Sequence, residues 1–116
     1  MKKECIFCNI SIGKIESKKI FEGKNFFVIE DISPVSPGHC LIISKEHYET
    51  ILEAPKEIGE ELIDIIKKQS KRLIKEEFAD GIKIVQNNFK SAGQKVNHLH
   101  FHVIPEKEGI LRERKV

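Results

Sequence analysis

The stretch that most constrains this chain is His98-Leu99-His100-Phe101-His102-Val103-Ile104-Pro105. Side chains alternate faces along a β-strand, so histidines at i, i+2 and i+4 project from one side, about 6–7 Å apart. Leu99, Phe101 and Val103 then point to the other side, into a core. A solvated strand face would carry Lys, Thr or Glu, and clustered imidazoles lose stability whenever they protonate together. The row therefore predicts a strand with one face packed and the other given over to chemistry. Two uses fit it: holding a metal, or acting on phosphorus. Neutral imidazole attacks phosphoryl centres, and the phosphoimidazole formed is labile to water. A second imidazole beside it can donate a hydrogen bond to the phosphoryl oxygen or the departing group.

The remaining pattern supplies a setting for that strand. Apolar spacing predicts a short helix from residue 6 that ends at Gly13, then strands over 19–21 and 26–29 around Gly23-Lys24-Asn25. Pro34, Pro37 and Gly38 make residues 31–38 a fixed loop outside any ladder, and residues 39–44 read as a buried third strand. Residues 55–78 carry apolar residues at helical spacing, with Glu57, Glu60, Glu61 and Asp64 early and Lys67, Lys68, Lys71, Arg72 and Lys75 late, matching the helix dipole. Gly81 is read as the stop, followed by strands over 82–86 and 98–104 with a polar loop, 87–97, between them. Short connections and an excess of strands predict an α+β fold with an antiparallel sheet, the long helix crossing between strands three and four.

At 116 residues the chain suits one domain, 1–116, and is large enough to fold without disulfides. Lys+Arg 20 against Asp+Glu 18 is too balanced for a nucleic-acid binder, and the apolar runs are too short and interrupted for a signal peptide or a membrane span. A cytoplasmic protein is expected. Three cysteines make a poor disulfide framework, and Cys5-Ile6-Phe7-Cys8 reads as half a metal site or a redox pair. Metal is preferred, given two further ligands, because a redox pair is expected after a strand within a βαβ unit. Cys40, inside the third strand, is assigned to the core.

His-Leu-His-Phe-His-Val-Ile resembles the motif of the histidine triad family, in which histidines alternate with apolar residues. Asp31-Ile32-Ser33-Pro34 with Pro37-Gly38-His39 is similar to the family's nucleotide-binding segment, and residues 87–94 are similar to its phosphate loop. The Cys-x-x-Cys opening resembles the branch containing purine-nucleoside phosphoramidases. The resemblance implies a five-stranded antiparallel sheet with one long and one short helix, and a homodimer in which two sheets join with the long helices at the interface. It makes His100 the nucleophile toward the α-phosphorus of a nucleotide, His102 the group assisting phosphoryl and leaving group, and His39 a support on the neighbouring strand. Asp31 would hold the ribose hydroxyls. Phe7, Ile10 and Ile32, with Ile15, would line the base slot. Asn87 and the backbone around Gly93 and Gln94 would hold phosphate oxygens.

The resemblance also supplies the missing ligands: His47 and His98 would join Cys5 and Cys8 around one structural zinc, leaving no catalytic cofactor. His98 is then structural rather than catalytic. One position departs from the family pattern. Lys95 stands where many members carry Ser or Thr, putting a cation near the leaving group. The implied activity is hydrolysis of purine nucleoside 5'-phosphoramidates, with a nucleotide as ligand. Dinucleoside polyphosphate hydrolysis ranks second, because members with that activity usually lack the cysteine pair. A nucleotide-binding scaffold is the alternative outside catalysis, and a deadenylating repair role lacks a DNA-binding module.

Overall fold

The computed structural model describes residues 4–110; residues 1–3 and 111–116, which include much of the charged tail, lie outside the described residues. In chain order the elements are α1 (Ile6–Ser11), β1 (Lys19–Glu22), β2 (Phe26–Glu30), β3 (Cys40–Ser44), α2 (Gly59–Lys75), β4 (Gly81–Val85) and β5 (His100–Glu106). The five strands form one antiparallel sheet in the order β1-β2-β3-β5-β4. α2 lies between β3 and β4 in the chain, as expected.

β2 (Phe-Phe-Val-Ile) and β3 (Cys-Leu-Ile-Ile) read as unbroken apolar runs because the sheet is covered on both faces. On one face, Phe26, Val28, Cys40, Ile42, Phe101 and Val103 pack with Ile65 and Leu73 of α2. On the other, Phe27, Ile29, Leu41 and Ile43 pack with Phe7 and Ile10 of α1. A six-residue helix has no stability of its own, so α1 is held by what it buries, about 2 kcal/mol for each of these two side chains. Within β5, Phe101 and Val103 enter the α2 core, whereas His100 and His102 sit opposite Ile43 and Leu41 on the α1 face. The alternation in sequence thus becomes a division between core and chemistry.

The ends of several elements differ from expectation. The α-helix occupies Gly59–Lys75 rather than 55–78. Pro55 is extended (φ −69°, ψ 141°), and Lys56–Ile58 form a separate 3-10 turn. The helix does not run to Gly81. Glu77 takes φ 64°, Glu77 N–H donates to Ile74 C=O (3.1 Å) and Phe78 N–H to Leu73 C=O (3.0 Å). That is a Schellman ending with glutamate where glycine is usual, and Gly81 instead opens β4. β4 is shifted one residue back from 82–86. His98 and Leu99 precede β5 rather than belonging to it, although Leu99 N–H still donates to Tyr48 C=O (2.7 Å).

The Pro37-Gly38 turn needs its glycine. Gly38 has φ +92°, and a Cβ there would lie 2.8 Å from Leu73 Cδ2 and 3.3 Å from Phe78 Cγ. This close approach, with Asp31 N–H donating to His39 C=O (3.0 Å), fixes the loop that delivers Asp31 and His39 to the α1 face.

Candidate active site

Four side chains from three separate parts of the chain meet where α1, β3 and β5 converge. Cys5 caps α1 and Cys8 lies one turn later; His47 follows β3 and His98 precedes β5. His98 Nδ1 is 3.2 Å from Cys5 Sγ, 3.5 Å from Cys8 Sγ and 3.1 Å from His47 Nδ1, and Cys8 Sγ is 3.2 Å from His47 Nδ1. Tetrahedral coordination at usual Zn–S and Zn–N lengths would put such atoms roughly 3.3–3.8 Å apart. The tautomer agrees. His98 Nε2–H donates to Ser44 C=O (2.7 Å), leaving Nδ1 as a lone pair aimed at the cluster. Burial, with smaller contributions from His47 and His100, lowers His98 to about 4, and burial raises the Cys5 thiol. These four donors can hold one metal ion, and the set is Cys2His2.

The histidines further along belong to a separate hydrogen-bonded system. His100 Nδ1–H donates to His98 C=O (2.7 Å), so the lone pair of His100 is on Nε2. Val35 N–H donates to His39 Nδ1 (3.1 Å), which puts the proton of neutral His39 on Nε2. That proton is donated to His102 Nδ1 (2.9 Å), leaving His102 with a proton on Nε2. The result is one imidazole with a free acceptor nitrogen beside another with a free N–H; their ring centroids are 5.3 Å apart. Burial is the main cause depressing all three, and His102 falls to about 4, with His100, His39 and Lys95 adding to the effect. They are therefore neutral near pH 7, as a nucleophilic row requires. Asp31 Oδ2 lies 3.5 Å from His39 Nε2 and 3.9 Å from His102 Nδ1, and Asp31 Oδ1 accepts Ser33 N–H (2.8 Å).

These groups line a cleft of about 610 Å³, a size suited to a small-molecule ligand. Phe7, Ile10 and Ile15 form one apolar wall with Ile29, Leu41 and Val96; Ile32 stands at the rim, 95% exposed. Asp31, His39, His100 and His102 occupy the polar end together with Asn87, Gly93 and Lys95. Of the two adjacent asparagines, Asn88 is engaged elsewhere: it accepts Ile51 N–H (2.9 Å) and exchanges two hydrogen bonds with Gln86.

Gln94 is the expected site residue that does not line the cleft. Its side chain is buried, accepting Phe89 N–H (2.7 Å) and donating to Glu49 C=O (2.6 Å) and Val96 C=O (3.0 Å). The Gly93 and Gln94 amides donate to Lys90 C=O and Phe89 C=O within the loop. Gln94 thus shapes this turn from inside, and the cleft meets Asn87, Gly93 and Lys95 instead. Sequence reasoning missed the Val35 amide and the Ser44 carbonyl, which set the tautomers of His39 and His98. Both act through the backbone, and no residue type announces them.

The family model for the HIT domain matches residues 13–109. The chain belongs to the HIT family. An uncharacterized HIT-like protein of Methanocaldococcus jannaschii is 43% identical over 107 residues, 90% of this chain and 81% of that protein. The adenosine 5'-monophosphoramidase of Saccharomyces cerevisiae is 40% identical over 110 residues, 92% of this chain and 67% of the yeast protein. A zinc-bound histidine triad family protein from Mycobacterium smegmatis superposes with a TM-score of 0.86 at 32% identity, covering 97% of this chain and 84% of the other. HIT membership agrees with the two-helix, five-stranded sheet, and relatives named as phosphoramidases occur at about this level of similarity.

Proposed function

We propose that this HIT protein hydrolyses purine nucleoside 5'-phosphoramidates through a nucleotidyl intermediate on His100. The observation that carries the reading is the His100 Nδ1–H bond to His98 C=O, which leaves Nε2 as the lone pair of a ring lining the cleft. In the first step Nε2 attacks the α-phosphorus, forming the P–N bond to His100 as the bond to the departing nitrogen breaks. That nitrogen takes up a proton and leaves as the amine, and the attacking water of the second step gives the proton back. His102 Nε2–H, fixed through His39 and the Val35 amide, donates a hydrogen bond to the phosphoryl oxygen or departing nitrogen. Water then cleaves the nucleotidyl-histidine and releases a nucleoside monophosphate. Asp31 Oδ2 takes the ribose hydroxyls, the wall of Phe7, Ile10, Ile15 and Ile32 takes the base, and Asn87, Gly93 and Lys95 face the phosphate.

In this reading Cys5, Cys8, His47 and His98 hold one zinc. It supplies no chemistry to the reaction; bound to four protein donors, it joins α1 to the sheet. The chain acts as a homodimer. β4 lies at one end of the sheet order, and the exposed Ile63 and Ile74 of α2 with Ile84 of β4 are the apolar residues such an interface would cover. Sedimentation at micromolar concentration should give a dimer, and a monomer alone would contradict it.

Lys95 favours a second reading within catalysis. Its ammonium adds to the depression of His102, and an ammonium close to the transferred phosphoryl group assists an anionic leaving group, as in a dinucleoside polyphosphate. The test is turnover of an adenosine phosphoramidate and a diadenosine polyphosphate by wild type and His100→Ala. Amidate turnover that vanishes with His100, while nucleotide binding persists, supports the proposal. Faster turnover of the anhydride favours the second reading. Binding of the nucleotide with no turnover of either substrate makes the chain a nucleotide-binding scaffold.

A further inference from the structure

The cysteine pair is tied to the nucleotide cleft by two routes. Phe7, between the cysteines on α1, packs edge-on against His98 (centroids 5.7 Å apart) and His100 (5.1 Å) and lines the apolar wall. His98 offers Nδ1 to the cluster, and its carbonyl fixes the tautomer of His100. Loss of the cluster would therefore loosen both the base wall and the group that orients the nucleophile.

Cys5 is open to oxidants from another side. A second cleft of about 620 Å³ is lined by Cys5 and His47 and shares Lys95 and Val96 with the nucleotide cleft. Cys5 is half-buried there, whereas Cys8 is wholly buried. Asn9 N–H donates to Cys5 C=O (3.0 Å), so the cysteines span one helical turn, with Cα atoms about 5 Å apart, inside the range a disulfide spans. Cys8 N–H points at Cys5 Sγ (3.4 Å), and the two sulfurs lie within the 4.8 Å spread of the ligand atoms. The remaining cysteine, Cys40, is fully buried in the core on the opposite face of the sheet.

We propose that Cys5 and Cys8 form a redox latch on the nucleotide cleft: a hydroperoxide oxidises the pair to a disulfide, the metal is released, and the cleft binds nucleotide weakly until the pair is reduced. The inference rests on the metal reading above but not on hydrolysis. Cys5 thiolate attacks the outer peroxide oxygen, the O–O bond breaks, and an alcohol (water, from hydrogen peroxide) leaves after protonation. Cys8 thiolate then displaces hydroxide from the Cys5 sulfenic acid, forming the S–S bond and, with a second proton, water. Two electrons pass from the sulfurs to the peroxide. The disulfide is a poor ligand, and His47 and His98 alone do not retain the ion.

The experiment is hydrogen peroxide titration of zinc-supplemented protein. It reads zinc release with a chromogenic chelator, free thiols, disulfide mapping, and affinity for a nucleoside monophosphate. The expected result is release of the zinc as two of the three thiols disappear into a Cys5–Cys8 disulfide. Nucleotide Kd should rise about tenfold, equivalent to about 1.4 kcal/mol, and recover with a thiol reductant and zinc. Cys5→His, which keeps four donors but cannot form the disulfide, should retain its zinc under the same peroxide. Zinc retained after the pair has oxidised, a disulfide through Cys40, irreversible release, or unchanged Kd would overturn the latch. Protein that takes up no zinc before oxidation overturns the metal reading and the latch together. Because binding rather than turnover is read, failure of the phosphoramidase proposal is a separate outcome.

Discussion

His102 should make the protein's stability depend on pH in a way that replacing that one residue removes. In the folded chain it is lowered from 6.5 to about 4, chiefly by burial. Its side chain is 13% exposed. A folded pKa below the unfolded one means that the unfolded chain binds more protons, so stability is full above 6.5 and is lost as pH falls toward 4. For a single site shifted this far, the loss by about pH 5 is about 2 kcal/mol. Protonation would also place a cation against His39 and His100, the neighbours that already oppose it. The assay is urea denaturation of wild type and His102→Gln at about pH 7.5 and about pH 5, taking the difference between the two proteins so that other titrations cancel. Glutamine can still accept the His39 N–H but does not titrate. The acid-dependent loss should be smaller in His102→Gln by about 2 kcal/mol. An equal loss in both proteins would show that His102 is not held neutral by its burial, and would refute the tautomer chain built on it.

Four further substitutions probe the frame of the site. Gly38→Ala forces a Cβ to 2.8 Å from Leu73 and keeps a positive φ, so thermal or urea denaturation should show a loss of about 3 kcal/mol. Glu77→Gly relieves a left-handed glutamate at the end of α2 and should raise stability by about 1 kcal/mol in the same measurement. Asn88→Ala removes the acceptor for Ile51 N–H and both bonds to Gln86, lowering stability by about 1–3 kcal/mol. Asn87→Ala should leave stability within about 0.5 kcal/mol and raise KM, and the reverse pattern would exchange the roles of the two asparagines.

Much of this arrangement was legible in residue types. The alternation from His98 onward predicts that Phe101 and Val103 enter the core while His100 and His102 share the opposite face, and side-chain period alone determines it. The two cysteines and two histidines meet as the family resemblance implied: Cys5 caps α1, Cys8 lies within it, His47 follows β3 and His98 precedes β5. What was not legible depends on backbone conformation. Glycine is the usual sign of a helix end, so a Schellman turn built on Glu77 hid the end of α2 and made Gly81 look like the stop. The resemblance puts the backbone around Gln94 at the phosphate, yet the Gln94 N–H donates to Phe89 C=O and its side chain is buried among three backbone partners. The proton positions on His39 and His100 come from the Val35 amide and the His98 carbonyl, which every residue carries.

The most direct test of the account is to look for the covalent intermediate. Wild type and His100→Ala would be mixed with an adenosine phosphoramidate, quenched in alkaline denaturant to preserve the acid-labile phosphoimidazole, and mapped by mass spectrometry. The account predicts one adenylyl group per chain on the peptide bearing His100, positioned on His100 by fragmentation and absent from His100→Ala. Full turnover by His100→Ala, or an adenylyl group on His102 or Lys95 in its place, would contradict it.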